Sequence, residues 1–316
     1  NALGLPEVPM LPKIFDFITP SEKGAFGLFV DETRCMVGDE DGLVADVDFE
    51  TGEPKRTFRL QEGVKCIVGD GEYLYVGTNG GAIFDLTGAR PRLVAQIEGF
   101  GQLYWIDIFG GRIAAADNMG HVGLLDCEGE VVWKRDAPAP NKEGWMCRMD
   151  STGIYYGANA GVRKYDLRGN EVWAVADFLD VAFGMQTQAH VWAIGLVSKQ
   201  ISPQQAMIMK IAKDSGEVQA RIQLSGPDSC SVTEDLSRVY DGELCCQPAA
   251  LPGRSEVPWA GAAWKHAVIG SLKSAASQQA VGDRIYAVGG TKCTPARSML
   301  ICFDVSAAAI AGAAQG

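Results

Sequence analysis

The residues that could do chemistry are few and scattered. Histidine occurs only at His121, His190 and His266. A metal site built on three imidazoles needs them to converge. These three fall in different stretches of the chain. His121 follows a turn glycine and reads as a solvated or hydrogen-bonded surface residue. His190 precedes Val191-Trp192 and reads as part of a turn. The nine cysteines include no Cys-x-x-Cys pair, so neither a zinc ribbon nor a thioredoxin-type site is indicated. Cys35, Cys66, Cys147, Cys230 and Cys302 lie in apolar runs and read as buried free thiols. Cys245 and Cys246 are adjacent in what reads as an irregular segment, packed or exposed rather than a redox pair. The Gly-x-Ser-x-Gly elbow, the phosphate-binding loop and the dinucleotide fingerprint are missing. These residues predict no catalytic set, no metal and no cofactor.

One polar set is regular. Asp48, Asp85, Asp126, Asp166, Asp214 and Asp304 recur along the chain. Recurrence points to structure, because aspartate closes turns by accepting backbone N–H bonds. The elements between them repeat as well. Cys66-Ile67-Val68 is followed by Gly69-Asp70-Gly71, then Tyr73–Gly77, the turn Thr78–Gly81 and Ala82–Leu86. A second copy runs through Gly153–Gly157, the turn Ala158–Gly161 and Val162–Asp166, and ends on Gly169–Trp173. A copy between them closes on Gly129–Trp133. The turn glycines fall at Gly52, Gly88, Gly129, Gly169 and Gly216, spaced 36 to 47 residues apart.

Each candidate strand is short, rich in Val, Ile, Tyr and Phe, and bounded by Gly, Asn or Asp. One such unit cannot bury both of its faces alone. A radial arrangement covers each sheet with its neighbours. The expected fold class is therefore all-β: a single β-propeller of seven four-stranded blades, the sixth degenerate around Val232–Leu272. The repeats convert the 316 residues and 38 glycines from a two-domain length into one ring with periodic turns.

The runs Tyr75–Gly81 and Gly129–Trp133 resemble the blades of the pyrroloquinoline-quinone-type repeat family, which shades into WD40-like propellers. The resemblance covers most of residues 27–305. Only Trp133 and Trp173 supply the expected terminal tryptophan, with Phe58 in that place in the first copy. The Trp-Asp and Gly-His signatures of WD40 blades do not recur with the repeat. Quinone-dependent dehydrogenases of the family are longer, with eight blades, a calcium site and an adjacent-cysteine disulfide that Cys245-Cys246 superficially resembles. The shorter chain and sparse tryptophans argue against that cofactor. Propellers of this type commonly borrow an N-terminal strand for the last blade, and the apolar run Leu11–Ile18 suits that role. The expected boundaries are an N-terminal segment 1–26, the propeller 27–306 and an Ala-rich tail 307–316.

The resemblance also places the usual binding surface, on the face where the innermost strands begin. Lys65, Tyr104, Trp145, Arg148, Met185 and Gln186 are read as starts of innermost strands. Long loops at Leu196–Gln205, carrying Lys199, and at Gly289–Arg297, carrying Arg297, join them. Gln247–Trp264 is a further expansion. The net charge of −11 argues against nucleic acid or an anionic membrane as the main partner. No apolar run reaches the roughly 20 residues that span a bilayer. Buried thiols favour a reducing compartment, while the start on Asn1 also allows an imported or secreted chain. The expected function is a non-catalytic scaffold or accessory subunit that binds other proteins through one face. An enzyme with an axial site, a hydrolase or an oxidoreductase, is the first alternative. A small-ligand or glycan binder using Trp145, Tyr104 and Trp259 is the second.

Overall fold

The computed structural model describes residues 10–136, 144–176, 178–186, 188–197, 206–223, 230–232, 239–241, 244–246, 263–266, 272–291, 297–304, 306 and 308–309. They form six four-stranded antiparallel sheets and one five-stranded sheet. The first sheet is Ala25–Val30, Cys35–Asp39, Leu43–Val47 and Pro54–Arg59. The second is Val64–Gly69, Leu74–Thr78, Ala82–Asp85 and Arg92–Gln96. The third is Leu103–Phe109, Arg112–Asp117, Val122–Leu125 and Val131–Arg135. The fourth is Gly144–Asp150, Gly153–Ala158, Gly161–Tyr165 and Glu171–Val175. The fifth is Phe178–Gln186, His190–Val197, Ala206–Ala212 and Val218–Gln223.

The sixth sheet is built from Cys230–Val232, Val239–Asp241, Leu244–Cys246 and Ala263–His266, and Met10–Leu11 adds a parallel strand at its edge. The last sheet is Leu272–Val281, Arg284–Thr291 and Ser298–Asp304, with Lys13–Ile18 paired antiparallel to Ser298–Asp304. The N-terminal segment thus forms the outer strand of two sheets in succession. Cys245 and Cys246 lie in a paired strand, not in an irregular segment.

Burial follows strand rank. Second strands such as Cys35–Asp39, Leu74–Thr78 and Gly153–Ala158 are buried along their whole length. Fourth strands expose all but one or two positions, as in Val131–Arg135. Both faces of the middle strands are therefore covered. One apolar cluster joins the first and second sheets, one the second and third, one the third and fourth, and one the fourth and fifth. Another joins the last sheet to the first, through Phe15, Tyr286, Val288 and Leu300 against Leu28, Val37 and Ala45.

A repeated contact links three of the third-to-fourth-strand turns to the sheet before them. Gly169 has φ +83°, and a Cβ there would lie 2.9 Å from the Trp133 ring. Gly216 has φ +75° and would meet the Trp173 ring at 2.7 Å. The same indoles donate Nε1–H to Leu167 O at 3.2 Å and to Lys213 O at 3.1 Å. Glycine is required twice, by its backbone conformation and by the ring pressed against it. Gly52 stands in the same relation to Phe15, at 2.6 Å. Gly88 departs from the set. Its φ is outside the left-handed region, and a Cβ there would meet no side chain.

The loops are shorter than the sequence suggests where pairing continues. Leu196 and Val197 belong to His190–Val197, which pairs with Ala206–Ala212 through seven residues. Gly289–Thr291 belong to the strand Arg284–Thr291. Residues 198–205, with Lys199, and 292–296 lie outside the described residues, as do 247–262 with Trp259.

Gly169→Ala combines a left-handed conformation with a clash against Trp133 and should cost about 3 kcal/mol. Gly282→Ala has a similar φ of +55° with open space around it, and should cost about 1 kcal/mol. Urea denaturation of the two variants measures the difference. Equal losses would show that the indole contact adds nothing.

Candidate functional site

The first strands of neighbouring sheets pack against one another, which gathers them about a common axis. Their starts share one irregularity. Pairing of first and second strands skips a residue between Ala25 and Gly27, Val64 and Cys66, Leu103 and Trp105, and Gly144 and Met146. Phe26, Lys65, Tyr104 and Trp145 therefore occupy one equivalent bulge in four consecutive sheets. A bulge re-aims its side chain out of the pleat. The Lys65 ammonium lies 4.3 Å from the Phe26 ring centre and 5.8 Å from that of Tyr104. It also donates to Glu40 Oε1 at 2.5 Å. The Trp145 backbone takes the equivalent position in the fourth sheet, and Lys65 and Tyr104, two of the sequence-selected residues, belong to a collar at one end of the axis. Phe26 belongs to it and was missed, because only the pairing register reveals the bulge.

The hairpins around this end are braced from inside. Asp39, Thr78 and Asp117 are buried polar residues ending second strands. Asp39 Oδ1 accepts from the Asp41 and Leu43 amides. Thr78 Oγ1 accepts from Ala82 N at 3.1 Å and donates to Glu62 Oε2 at 2.5 Å. Asp117 accepts from the Met119, His121 and Gly101 amides, and its Oδ2 lies 2.7 Å from His121 Nδ1. His121 is thereby tied to its own turn. His190 opens a strand, with Nε2 2.8 Å from Gln219 Oε1. The described residues contain no group of three His, Cys, Asp or Glu side chains placed to hold a metal.

Arg148, Met185 and Gln186 are not at strand starts. Arg148 is the fifth residue of Gly144–Asp150, and Met185 and Gln186 end Phe178–Gln186. That strand begins well before them because two register shifts lengthen it. Gln186 works at the seam of the fourth and fifth sheets. Its Nε2 donates to Met149 O, and its Oε1 accepts from Lys213 Nζ at 2.9 Å. Lys213 Nζ also donates to Asp150 Oδ2 at 2.6 Å. Beside it Lys164 Nζ donates to Lys213 O at 2.7 Å, and burial holds the Lys164 ammonium below its ordinary pKa. Arg297 is exposed.

The second end of the axis opens into a cavity of about 480 Å³. Trp105, Asp107, Arg148 and Gln279 line it from first strands, and the turns at Asp31–Arg34 and Asp70-Gly71 form its rim. Arg148 lies 5.5 Å above the Trp105 ring and 3.8 Å from Asp107 Oδ1. Arg34 donates Nε–H and Nη2–H to Asp31 Oδ2 at 2.8 and 2.6 Å, and Nη2–H to Asp70 O at 2.5 Å. Gln279 Oε1 accepts from Val30 N at 2.5 Å, tying the last sheet to the first. Burial alone would raise the Asp31 carboxyl. The Arg34 guanidinium and the Thr33 and Arg34 amides hold it below the ordinary carboxylate range.

The periodic aspartates stand at turns. Asp48 accepts from Glu50 N and Thr51 N, and these bonds hold its carboxyl down at about 2. Asp85, Asp126, Asp166 and Asp304 accept from backbone N–H groups in the same way. Cys35, Cys66, Cys147 and Cys302 are buried free thiols, and burial raises Cys66 to about 12. Cys127, which no apolar run flagged, is exposed.

No protein-family model and no curated protein sequence matches this chain. Solved structures do. The WD40 β-propeller domain of Doa1 superposes with a TM-score of 0.65 at 10% identity, over 95% of this chain and 99% of that one. The chain is a β-propeller. A second match is the computationally designed Ika8 protein, with a TM-score of 0.58 at 11% identity, over 90% of this chain and 86% of that one. Identities this low speak to fold alone. No helix among the propeller's described residues is long and apolar enough to cross a membrane.

Asp31 makes a pH test at the propeller's cavity. Its folded pKa lies below the unfolded value of 3.8. Its stabilisation is present above that value and lost as pH falls through the folded pKa. Asp31→Asn should therefore be about 1 kcal/mol less stable near pH 7, with the gap closing in strong acid. Urea denaturation at both pH values measures it. A gap that persists in acid would contradict the assignment.

Proposed function

We propose that this propeller is a non-catalytic scaffold or accessory subunit that binds other proteins through the collar face. The bulge collar carries the proposal. Phe26, Lys65, Tyr104 and Trp145 are placed at the same irregular position in four sheets, and the cationic Lys65 Nζ lies against two of the rings. Aromatic side chains of this kind carry much of the energy of protein recognition. The polar residues that recur with the blades are occupied in turns, as described for Asp48, Asp126 and Asp166. The WD40-propeller likeness supports the fold on which such a face is built.

The proposal includes a closed ring of seven blades, with Lys13–Ile18 as the outer strand of the last blade. Phe15 supports it, because it meets Gly52 as Trp133 meets Gly169. The fourth-strand tryptophans supply the pyrroloquinoline-quinone-type character of the blades. On this reading residues 1–26 form a closing segment, 27–306 the ring and 307–316 a tail. The partner surface includes Lys65, Tyr104 and Trp145, and Arg297 extends it. Arg148, Met185 and Gln186, two of them at the other ends of their strands, fall outside it.

Tyr104→Ser with Trp145→Ser tests the collar. In quantitative affinity isolation from the native extract, proteins held by the wild type should fall at least about tenfold with the double variant, while thermal stability stays near wild type. Undiminished capture by a folded double variant would refute the collar as the binding face.

A further inference from the structure

The cavity at the opposite end of the axis has a lining that the fold does not demand. Its volume of about 480 Å³ lies within the usual range for ligand sites, roughly 300–1,000 Å³. Five sheets contribute to it, so it is a built concavity and not a patch of surface charge. Its ionisable lining consists of Asp31, Glu32, Asp70 and Asp107 against Arg34 and Arg148. Both guanidinium groups already face carboxylates, Arg34 that of Asp31 and Arg148 that of Asp107. That leaves Glu32 and Asp70. Among the described residues the exposed Glu32 carboxylate has no ion-pair or hydrogen-bond partner. Asp70 Oδ1 accepts from the Glu72 and Tyr73 amides, and its Oδ2 takes neither bond.

The cavity is therefore net negative by two charges, in a chain that is itself at −11. Low-dielectric walls strengthen such a field and focus it at the mouth. An anion would meet four carboxylates and would have to draw Arg148 away from Asp107. A cation meets two carboxylates that need no rearrangement. The rim is made of turn backbone around Glu32, Thr33 and Gly71, all exposed, over which an extended chain can lie.

We propose that this cavity receives a positively charged side chain, arginine or lysine, from a basic segment of a partner protein. It is a second binding site, on the face opposite the collar, and it stands whether or not the collar binds anything.

The probe is the capped tripeptide acetyl-Gly-Arg-Gly-amide, titrated into the full chain by calorimetry, with its neutral citrulline analogue alongside. The arginine peptide should bind at least about tenfold more tightly than the citrulline one. Its affinity should fall as salt rises. Glu32→Gln with Asp70→Asn should weaken it at least about tenfold, and the exposed Glu32→Gln alone should weaken it measurably. Glu98→Gln, outside the cavity lining, should leave it unchanged. Methylguanidinium, a free small cation, should bind far more weakly than the peptide. Equal binding of the arginine and citrulline peptides would overturn the site, and so would unchanged binding in the folded double variant. Methylguanidinium binding as tightly as the peptide would overturn the partner segment in favour of a small-cation site. Because the collar variants leave these residues untouched, failure of either proposal is read separately.

Discussion

Three sheets of this propeller dock on the next through an aromatic ring pressed against a glycine. Trp133 on Gly169 and Trp173 on Gly216 are the clearest instances, and Phe15 on Gly52 repeats them. Such a contact needs an aromatic in the middle of an outer strand and a left-handed glycine in the following sheet's third-to-fourth turn. Where the ring is an indole, its N–H also donates to a carbonyl, that of Leu167 or Lys213. Removing a buried Trp typically costs about 3–5 kcal/mol. An exposed ion pair contributes about 1 kcal/mol or less. The surface pairs, such as Arg92–Asp85 and Lys55–Asp48, therefore tune the molecule while the docked rings hold it together.

That constraint explains why the fold was legible in the sequence. The spacing of Gly52, Gly169 and Gly216 is the spacing of the docking contacts, and Gly129 meets the Val94 backbone instead. The aspartates at the ends of third strands mark the same turns. Both signals are local, and a local signal survives in a list of residues. The apolar run around Phe15 was also readable, since a last unit without a fourth strand needs one from elsewhere.

The site was only partly legible, for an equally physical reason. Lys65, Tyr104 and Trp145 were legible as strand starts because they begin apolar runs. Their shared bulge, and the membership of Phe26, exist only in the pairing between strands. Gln186 and Arg148 misled because strand length depends on register shifts that no periodicity announces. The cavity was invisible: Asp31 and Asp70 sit in ordinary turns, Trp105 and Gln279 in ordinary strands, and 248 positions separate Asp31 from Gln279. Only the packing of the last sheet against the first brings them together.

The two ends of the axis thus differ in kind, one an ammonium against two rings and the other an acidic cavity. Both depend on the proposed ring, and the ring depends on the strand borrowed from the N-terminus. Thermal melting of the chain lacking residues 1–20 tests this most directly. The truncated protein loses the pairing of Lys13–Ile18 with Ser298–Asp304 and the Phe15–Gly52 contact, and it should melt at least about 10 °C below the intact chain. A truncated protein that melts like the intact one would contradict the account.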